Sequence, residues 1–306
     1  MLQYQLHREI DRIIDFYFPL PDLNQLLKRL VEEKANEGLG LWALYVIYCH
    51  DMLGGDSQDI LSVAAQLELI VLLQDIVDDQ QDQDNRGKHW MAYPQAYTWN
   101  AVLAFYTAVV AELERLKHRR LSKILKLIAT SISGQHQDLN DSIQSEVDYI
   151  QIISHKSGSI VQLAFAMGYG IVDNCSDSII DQIDELALYI GIAAQIKNDV
   201  RDVQRLDLKN DLLHKKKTLP ILYMLQHGKE RFPALGMFYE GKLTVEQFLV
   251  YKQECLAFIH DSGCLEYGYA VHYLYLQKVK ELFETLPVDS PDKHMLKETV
   301  MQAITL

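Results

Sequence analysis

Apolar residues recur at intervals of three and four along almost the whole chain, as in Leu23, Leu26, Leu27, Leu30 and Val31. No run of alternating residues bounded by hairpin turns interrupts them. A 3.6-residue period puts such side chains on one side of a helix, whereas a strand needs a period of two. The chain is therefore predicted to be all-α. Breaks fall at Pro19 and Pro21, at Gly54-Gly55-Asp56-Ser57, between Asn85 and Pro94, at Asn174-Cys175-Ser176-Asp177, and near Pro220, Gly241 and Pro287. Between them the pattern predicts helices over roughly 4–17, 22–36, 40–52, 58–83, 95–117, 120–137, 143–153, 155–172, 178–206, 219–227, 245–260, 265–285 and 291–304. Several of these have no continuous polar face, so they belong in an interior, and a large helical bundle around a central cavity is expected. The 306 residues, 49% of them hydrophobic, supply a large core. That length would permit two domains, but no Pro/Gly/Ser-rich linker divides it, so residues 1–306 read as a single domain.

Charge excludes one class of partner. The formal net charge of -13 is the wrong sign for nucleic acid, whose phosphates need a basic face, and Lys215-Lys216-Lys217 is the only run of three consecutive Lys or Arg residues. The first ten residues lack the basic-then-apolar order of a signal peptide. No unbroken apolar run reaches about 18 residues, so the chain does not read as an integral membrane protein. Residues 39–49 and 158–172 come closest and read as core helices. Cys49, Cys175, Cys255 and Cys264 form no CxxC pair, which fits reduced thiols in a cytoplasmic protein.

The chemistry concentrates in two acidic helix ends. The run Leu72-Leu73-Gln74-Asp75-Ile76-Val77-Asp78-Asp79-Gln80-Gln81-Asp82-Gln83-Asp84 leads from an apolar helix into five aspartates. On a helix, Asp75/Asp79 and Asp78/Asp82 are i,i+4 pairs pointing the same way. Two unit charges about 4 Å apart repel by roughly 4 kcal/mol at an effective dielectric of about 20, so such a cluster calls for a cation or for protons. One acidic run alone is commonly a solvated helix end. A second of the same design follows about 120 residues later, at Gln195-Ile196-Lys197-Asn198-Asp199-Val200-Arg201-Asp202. Two such helices side by side would present their oxygens to one another across a cavity mouth.

Facing carboxylates suit Mg²⁺, a hard cation that takes oxygen ligands and completes its shell with water and phosphate oxygens. Arg86, Lys156, Lys197 and Lys216 near the acids make a plausible diphosphate site, in which metal and cations neutralise charge growing on a leaving group. A diphosphate at the mouth of an apolar cavity implies an allylic substrate, whose carbocation a dry pocket protects from water. A calcium loop starting at Asp82 fails because Arg86 and Tyr93 fall at ligand places, and the eleven histidines form no HExxH for zinc.

These segments resemble the trans-isoprenyl diphosphate synthase superfamily across nearly the whole chain. Leu72 to Asp79 is similar to its first aspartate-rich motif, with Asp75 and Asp79 as outer metal ligands, while Asp78-Asp79-Gln80-Gln81-Asp82 offers a second register. Gly134-Gln135-His136-Gln137-Asp138 resembles the GQxxD segment, and Lys156-Ser157 the Lys-Thr pair. Gln195 to Asp202 resembles the second motif, followed by Asp211-Leu212 and Lys216-Lys217-Thr218-Leu219-Pro220. The resemblance implies an isoprenoid synthase (terpenoid synthase-like) fold, and more than one Mg²⁺ held by Asp75, Asp78, Asp79, Asp82, Asn198, Asp199 and Asp202. Asp75, Asp79 and Asp199 would be the catalytic acids. It further implies diphosphate contacts from Arg86, Lys156, Lys197 and Lys216, support from Gln135, Asp138 and Gln195, and a homodimer, since relatives commonly pair.

The departures narrow the reading. Chain-elongating members grip isopentenyl diphosphate with a basic Gly-Lys-x-x-Arg-Pro segment, but Gly38-Leu39-Gly40-Leu41-Trp42-Ala43-Leu44 has no Lys, Arg or Pro, and the paired arginines after the first motif are reduced to Asn85-Arg86-Gly87. The metal-bound site is kept and the second diphosphate site is not. That combination resembles the ComQ-type isoprenyl transferases, which attach an isoprenyl group to a tryptophan of a small pheromone precursor peptide in bacterial quorum sensing. The expected reaction is Mg²⁺-dependent transfer of a geranyl or farnesyl group from its diphosphate to such a peptide. The alternative is a chain-elongating polyprenyl diphosphate synthase. A terpene cyclase would carry Ser or Thr at the place of Asp202 and an acid at that of Leu206, and a silent regulatory subunit would have lost its acids.

Overall fold

A computed structural model of the chain describes residues 1–83, 85, 87–140, 142–205, 210–228 and 230–306. Helices account for 77% of it, with no strand among the described residues. In chain order the α-helices are α1 (Leu2–Tyr17), α2 (Pro21–Gly38), α3 (Leu41–Met52), α4 (Ile60–Asp82), α5 (His89–Ala92), α6 (Gln95–Arg115), α7 (Leu121–Leu139) and α8 (Glu146–Ile153). A π-helical turn, Ser154–Gly158, leads into α9 (Ser159–Tyr169) and α10 (Asp177–Asp202). The remainder is α11 (Leu219–His227), α12 (Pro233–Tyr239), α13 (Val245–Leu249), α14 (Lys252–Asp261), α15 (Cys264–Thr285) and α16 (Pro291–Ile304). The chain divides into two compact units, the first comprising residues 1–126, 163–184 and 287–299 and the second residues 127–162, 185–286 and 300–306.

In the first unit α4 is the centre, with α1, α2, α3, α5 and α6 packed on it. Every residue from Ser62 to Leu73 is buried, which is how a helix without a polar face satisfies itself in water. By length and mean hydropathy α4 would be long enough to cross a membrane, but Gln66, Glu68 and Gln74 interrupt its apolar run and 72% of its apolar window is buried inside the unit, as in a core helix. Pro21 starts α2 at the position where its missing N–H costs nothing. Between α2 and α3 the chain turns through Gly38 and Gly40, both at positive φ. There the buried Glu68 carboxyl of α4 accepts the N–H groups of Gly40 at 3.1 Å and Ala43 at 2.8 Å, occupying donors that open a helix.

The second unit has its own apolar core, built from Tyr149, Ile152, Ile196, Val200, Leu219, Phe238, Phe248 and their neighbours. Two glycines let backbones meet closely in it. A Cβ on Gly134 would lie 2.5 Å from the Lys156 nitrogen, so α7 runs directly against the π turn. One on Gly191 would lie 2.6 Å from Gly158 Cα and 2.7 Å from the Ser157 carbonyl, so α10 presses on the same turn.

Most predicted helices are present to within two or three residues. The stretch predicted as one helix over 245–260 is two, separated at Val250 and Tyr251, and the short α5 and α12 carry too few residues for a periodic signal. The predicted helix over 178–206 ends at Asp202.

Candidate active site

In the first unit the acidic motif closes α4. Gln83 adopts a left-handed conformation (φ 57°) and its N–H bonds back to the Asp79 carbonyl, turning the chain towards α5. Asp79 is 8% exposed, and its two oxygens accept from Asn85 Nδ2 and from Trp90 Nε1, each at 2.8 Å. The Trp90 carbonyl in turn accepts from Gln80 and Thr98, each at 3.1 Å. Asp75 is paired with Lys34, while Asp78 and Asp82 are half-buried on the neighbouring face. Arg86 and Asp84 lie outside the described residues.

Trp90→Phe deletes the donor to Asp79 and leaves a small void where the rest of the buried indole stood, which adds to the loss. A hydrogen bond to a buried charged group is worth about 1.5–3 kcal/mol, so the urea midpoint should fall by an amount corresponding to that range or more. An unchanged midpoint would show that Asp79 does not depend on the indole.

In the second unit a small cavity of about 50 Å³ is lined by Asp138, Tyr149, Lys156, Gln195, Asp199, Asp211, Lys216 and Lys217 among others. The close approaches at Gly134 and Gly191 bring three segments to it. Tyr149 Oη donates to Asp199 Oδ2 at 2.6 Å, and Gln195 Nε2 donates to Asp199 Oδ1 at 2.8 Å. Ser157 Oγ donates to Gln195 Oε1 at 2.6 Å, and Lys156 Nζ pairs with Asp138 at 2.8 Å. Lys156 and Ser157 stand in the π turn, whose wider backbone often marks functional positions. Lys216 Nζ is 3.9 Å from Asp211 Oδ1. Burial and the neighbouring Asp211 push the Asp199 carboxyl up to about 8. Burial also raises Asp211, to about 6, against the pull of Lys216.

The structure thus brings together Asp138, Lys156, Gln195, Asp199 and Lys216 of the residues expected from sequence, and adds Tyr149, Asp211 and Lys217. Nothing in the sequence near Tyr149 marks it; Asp211 stood in a motif-like segment and could have been included on its acid alone. Asn198 is exposed, and Asp202, one turn beyond Asp199, pairs with Arg205. Lys197 lies apart from the cavity, donating to the Ala303 carbonyl at 2.9 Å near the end of α16. Gln135 is half-buried on α7.

Among the described residues no group of three His, Cys, Asp or Glu side chains is already drawn together as a metal site. The donor chemistry nevertheless fits a hard cation. Asp138, Asp199 and Asp211 offer only oxygens, and burial holds two of them towards the protonated form, a penalty that a divalent ion would remove.

The described residues form helices and no strand, and in the second unit carboxylates and lysines gather at one small cavity; solved structures share the fold. The chain superposes on a geranylgeranyl pyrophosphate synthase with a TM-score of 0.84 at 19% identity, covering 99% of this chain and 97% of that one. For heptaprenyl diphosphate synthase from Staphylococcus aureus the values are 0.81 and 20%, covering 99% and 98%. It has the all-α terpenoid synthase-like fold. The family model described as polyprenyl synthetase matches residues 24–247; the chain belongs to this family and is a prenyltransferase. It is similar to a Bacillus subtilis (strain 168) protein named tryptophan prenyltransferase ComQ, 26% identical over 283 residues, 92% of either chain. Its counterpart in Bacillus subtilis subsp. natto is 27% identical over 303 residues, 98% of this chain and 93% of that one. Heptaprenyl diphosphate synthase component 2 of strain 168 is 26% identical over 251 residues, 76% and 69% of the two chains.

Proposed function

We propose that this protein transfers a geranyl or farnesyl group from its diphosphate to a tryptophan of a small pheromone precursor peptide, with Mg²⁺ promoting loss of diphosphate. The bond from the isoprenyl C1 to the diphosphate oxygen breaks, a bond from C1 to an indole carbon forms, and the indole passes a proton to water or to the released diphosphate. Bound Mg²⁺ would stabilise negative charge on the departing diphosphate. By the motif resemblance, Asp75 and Asp79 of the first unit, with Asp78 and Asp82 in support, and Asn198, Asp199 and Asp202 of the second would be ligands to more than one such ion, and Arg86, Lys156, Lys197 and Lys216 would bind the diphosphate. Residues 1–306 act as one domain in this reading, in the cytoplasm, as a homodimer.

The observation that carries the choice of acceptor is at Gly38 to Leu44. This segment has no cation, and the N–H groups of Gly40 and Ala43 are taken by the Glu68 carboxyl. A second diphosphate there would meet a buried acid where it needs a donor. The near full-length similarity to proteins named tryptophan prenyltransferase supports the same choice. The similarity to heptaprenyl diphosphate synthase component 2 favours chain elongation as the second reading.

Labelled farnesyl diphosphate and Mg²⁺ should be offered with isopentenyl diphosphate or with a tryptophan-containing precursor peptide. The label is expected in the peptide. Label moving only into isopentenyl diphosphate would establish elongation instead.

A further inference from the structure

Lys34 stands in the last turns of α2, and its Nζ donates to Asp75 Oδ2 at 2.5 Å. The lysine side chain is only 16% exposed, whereas that of Asp75 is 41% exposed. The ammonium therefore covers one oxygen from the protein side and leaves the carboxylate an open edge. Asp79, one turn further on, has both oxygens engaged within the protein. Neighbouring residues of α2 fix the lysine's position: Glu33 accepts the His89 N–H at 2.9 Å, and Glu37 pairs with Lys88. The same helix thus grips the acidic motif at Asp75 and the segment that follows it. The motif resemblance assigns no role to Lys34, and the stretch at Gly38 to Leu44 offers no other cation.

We propose that Lys34 is a positioning residue for the transfer reaction. It holds Asp75 Oδ2 so that Oδ1 is presented to the cation, and it keeps a fixed positive charge beside the diphosphate which that cation carries. A charge-assisted contact has both the strength and the direction for this task. The inference rests on the reading of Asp75 as a metal ligand, and the test separates the two.

The full-length protein is titrated with MgCl2 in the presence of inorganic pyrophosphate, and its gain in thermal midpoint is followed. Lys34→Gln should need about tenfold more Mg²⁺ for half the gain, with the KM for farnesyl diphosphate rising by a similar factor. Lys34→Arg keeps the charge but not the compact ammonium, and should need about fivefold more Mg²⁺ than the parent. A Lys34→Gln titration that matches the parent, while Asp75→Asn loses the gain, overturns the role of Lys34 alone. A full gain in Asp75→Asn removes Asp75 from the metal site and with it the reading beneath the inference. Should Lys34→Gln lose its native circular dichroism, Lys34→Arg decides: a half-gain concentration within about threefold of the parent overturns the proposal.

Discussion

Asp199→Asn should lose about 10²–10³-fold in transfer rate and yet, without metal, unfold at a higher temperature than the parent protein at pH 8. The two effects share one cause. Asp199 is 3% exposed and beside Asp211, so its charged form is disfavoured in the folded state, with the carboxyl raised to about 8 from an ordinary value near 4. Between those values the folded protein binds a proton that the unfolded chain has released, so stability falls as pH rises through this window and levels off above it. Asparagine is neutral throughout. It keeps an oxygen for Tyr149 but removes the charge a cation would use. Thermal midpoints of both proteins from pH 5 to 9 check the prediction: the parent should show the steeper decline, and Mg²⁺ with pyrophosphate should flatten it. Equal slopes would mean that Asp199 ionises freely in the fold.

The second large effect is expected at Gly191. Its added Cβ would meet three backbone atoms, Gly158 Cα at 2.6 Å, Ser157 O at 2.7 Å and Gly158 N at 2.9 Å, so relief cannot come from a rotamer change. Overpacking of this kind costs about 1–3 kcal/mol, and Gly191→Ala should lower the urea midpoint accordingly, even though alanine is the better helix former. The π turn it displaces carries Lys156 and Ser157, so activity should drop about tenfold or more, in proportion to how far the Lys156 and Gln195 contacts move. Gly236 is the control, because a Cβ there meets nothing within 4 Å. If Gly191→Ala is as stable and active as Gly236→Ala, the π turn is not held by that contact.

Much of the fold was legible because helices without a polar face have few places to go. The unbroken burial from Ser62 to Leu73 is what the absence of a polar stripe in that segment implies. The second acidic segment was legible for a different reason: Gln195 and Asp199 are one turn apart, so reading them as partners needed only helical geometry. What the sequence could not reveal were contacts between distant elements. Tyr149 reaches Asp199 across 50 residues, Lys34 reaches Asp75 across 41, and Lys197 turns to the end of α16, each through a side chain whose local pattern is ordinary. The π turn was hidden too, since Ser154–Gly158 spans only five residues, too few to show as a change of hydrophobic period.

The bond between Trp90 and Asp79 has an optical side. The chain has three tryptophans, and Trp90 is the one buried to 1% exposure with its indole N–H on a carboxylate of the acidic motif. The energy of an indole excited state responds to charge placed near its nitrogen. Whatever engages Asp79, whether a proton, a cation or a substrate, alters that charge, so the protein carries an intrinsic fluorophore wired to its first acidic motif.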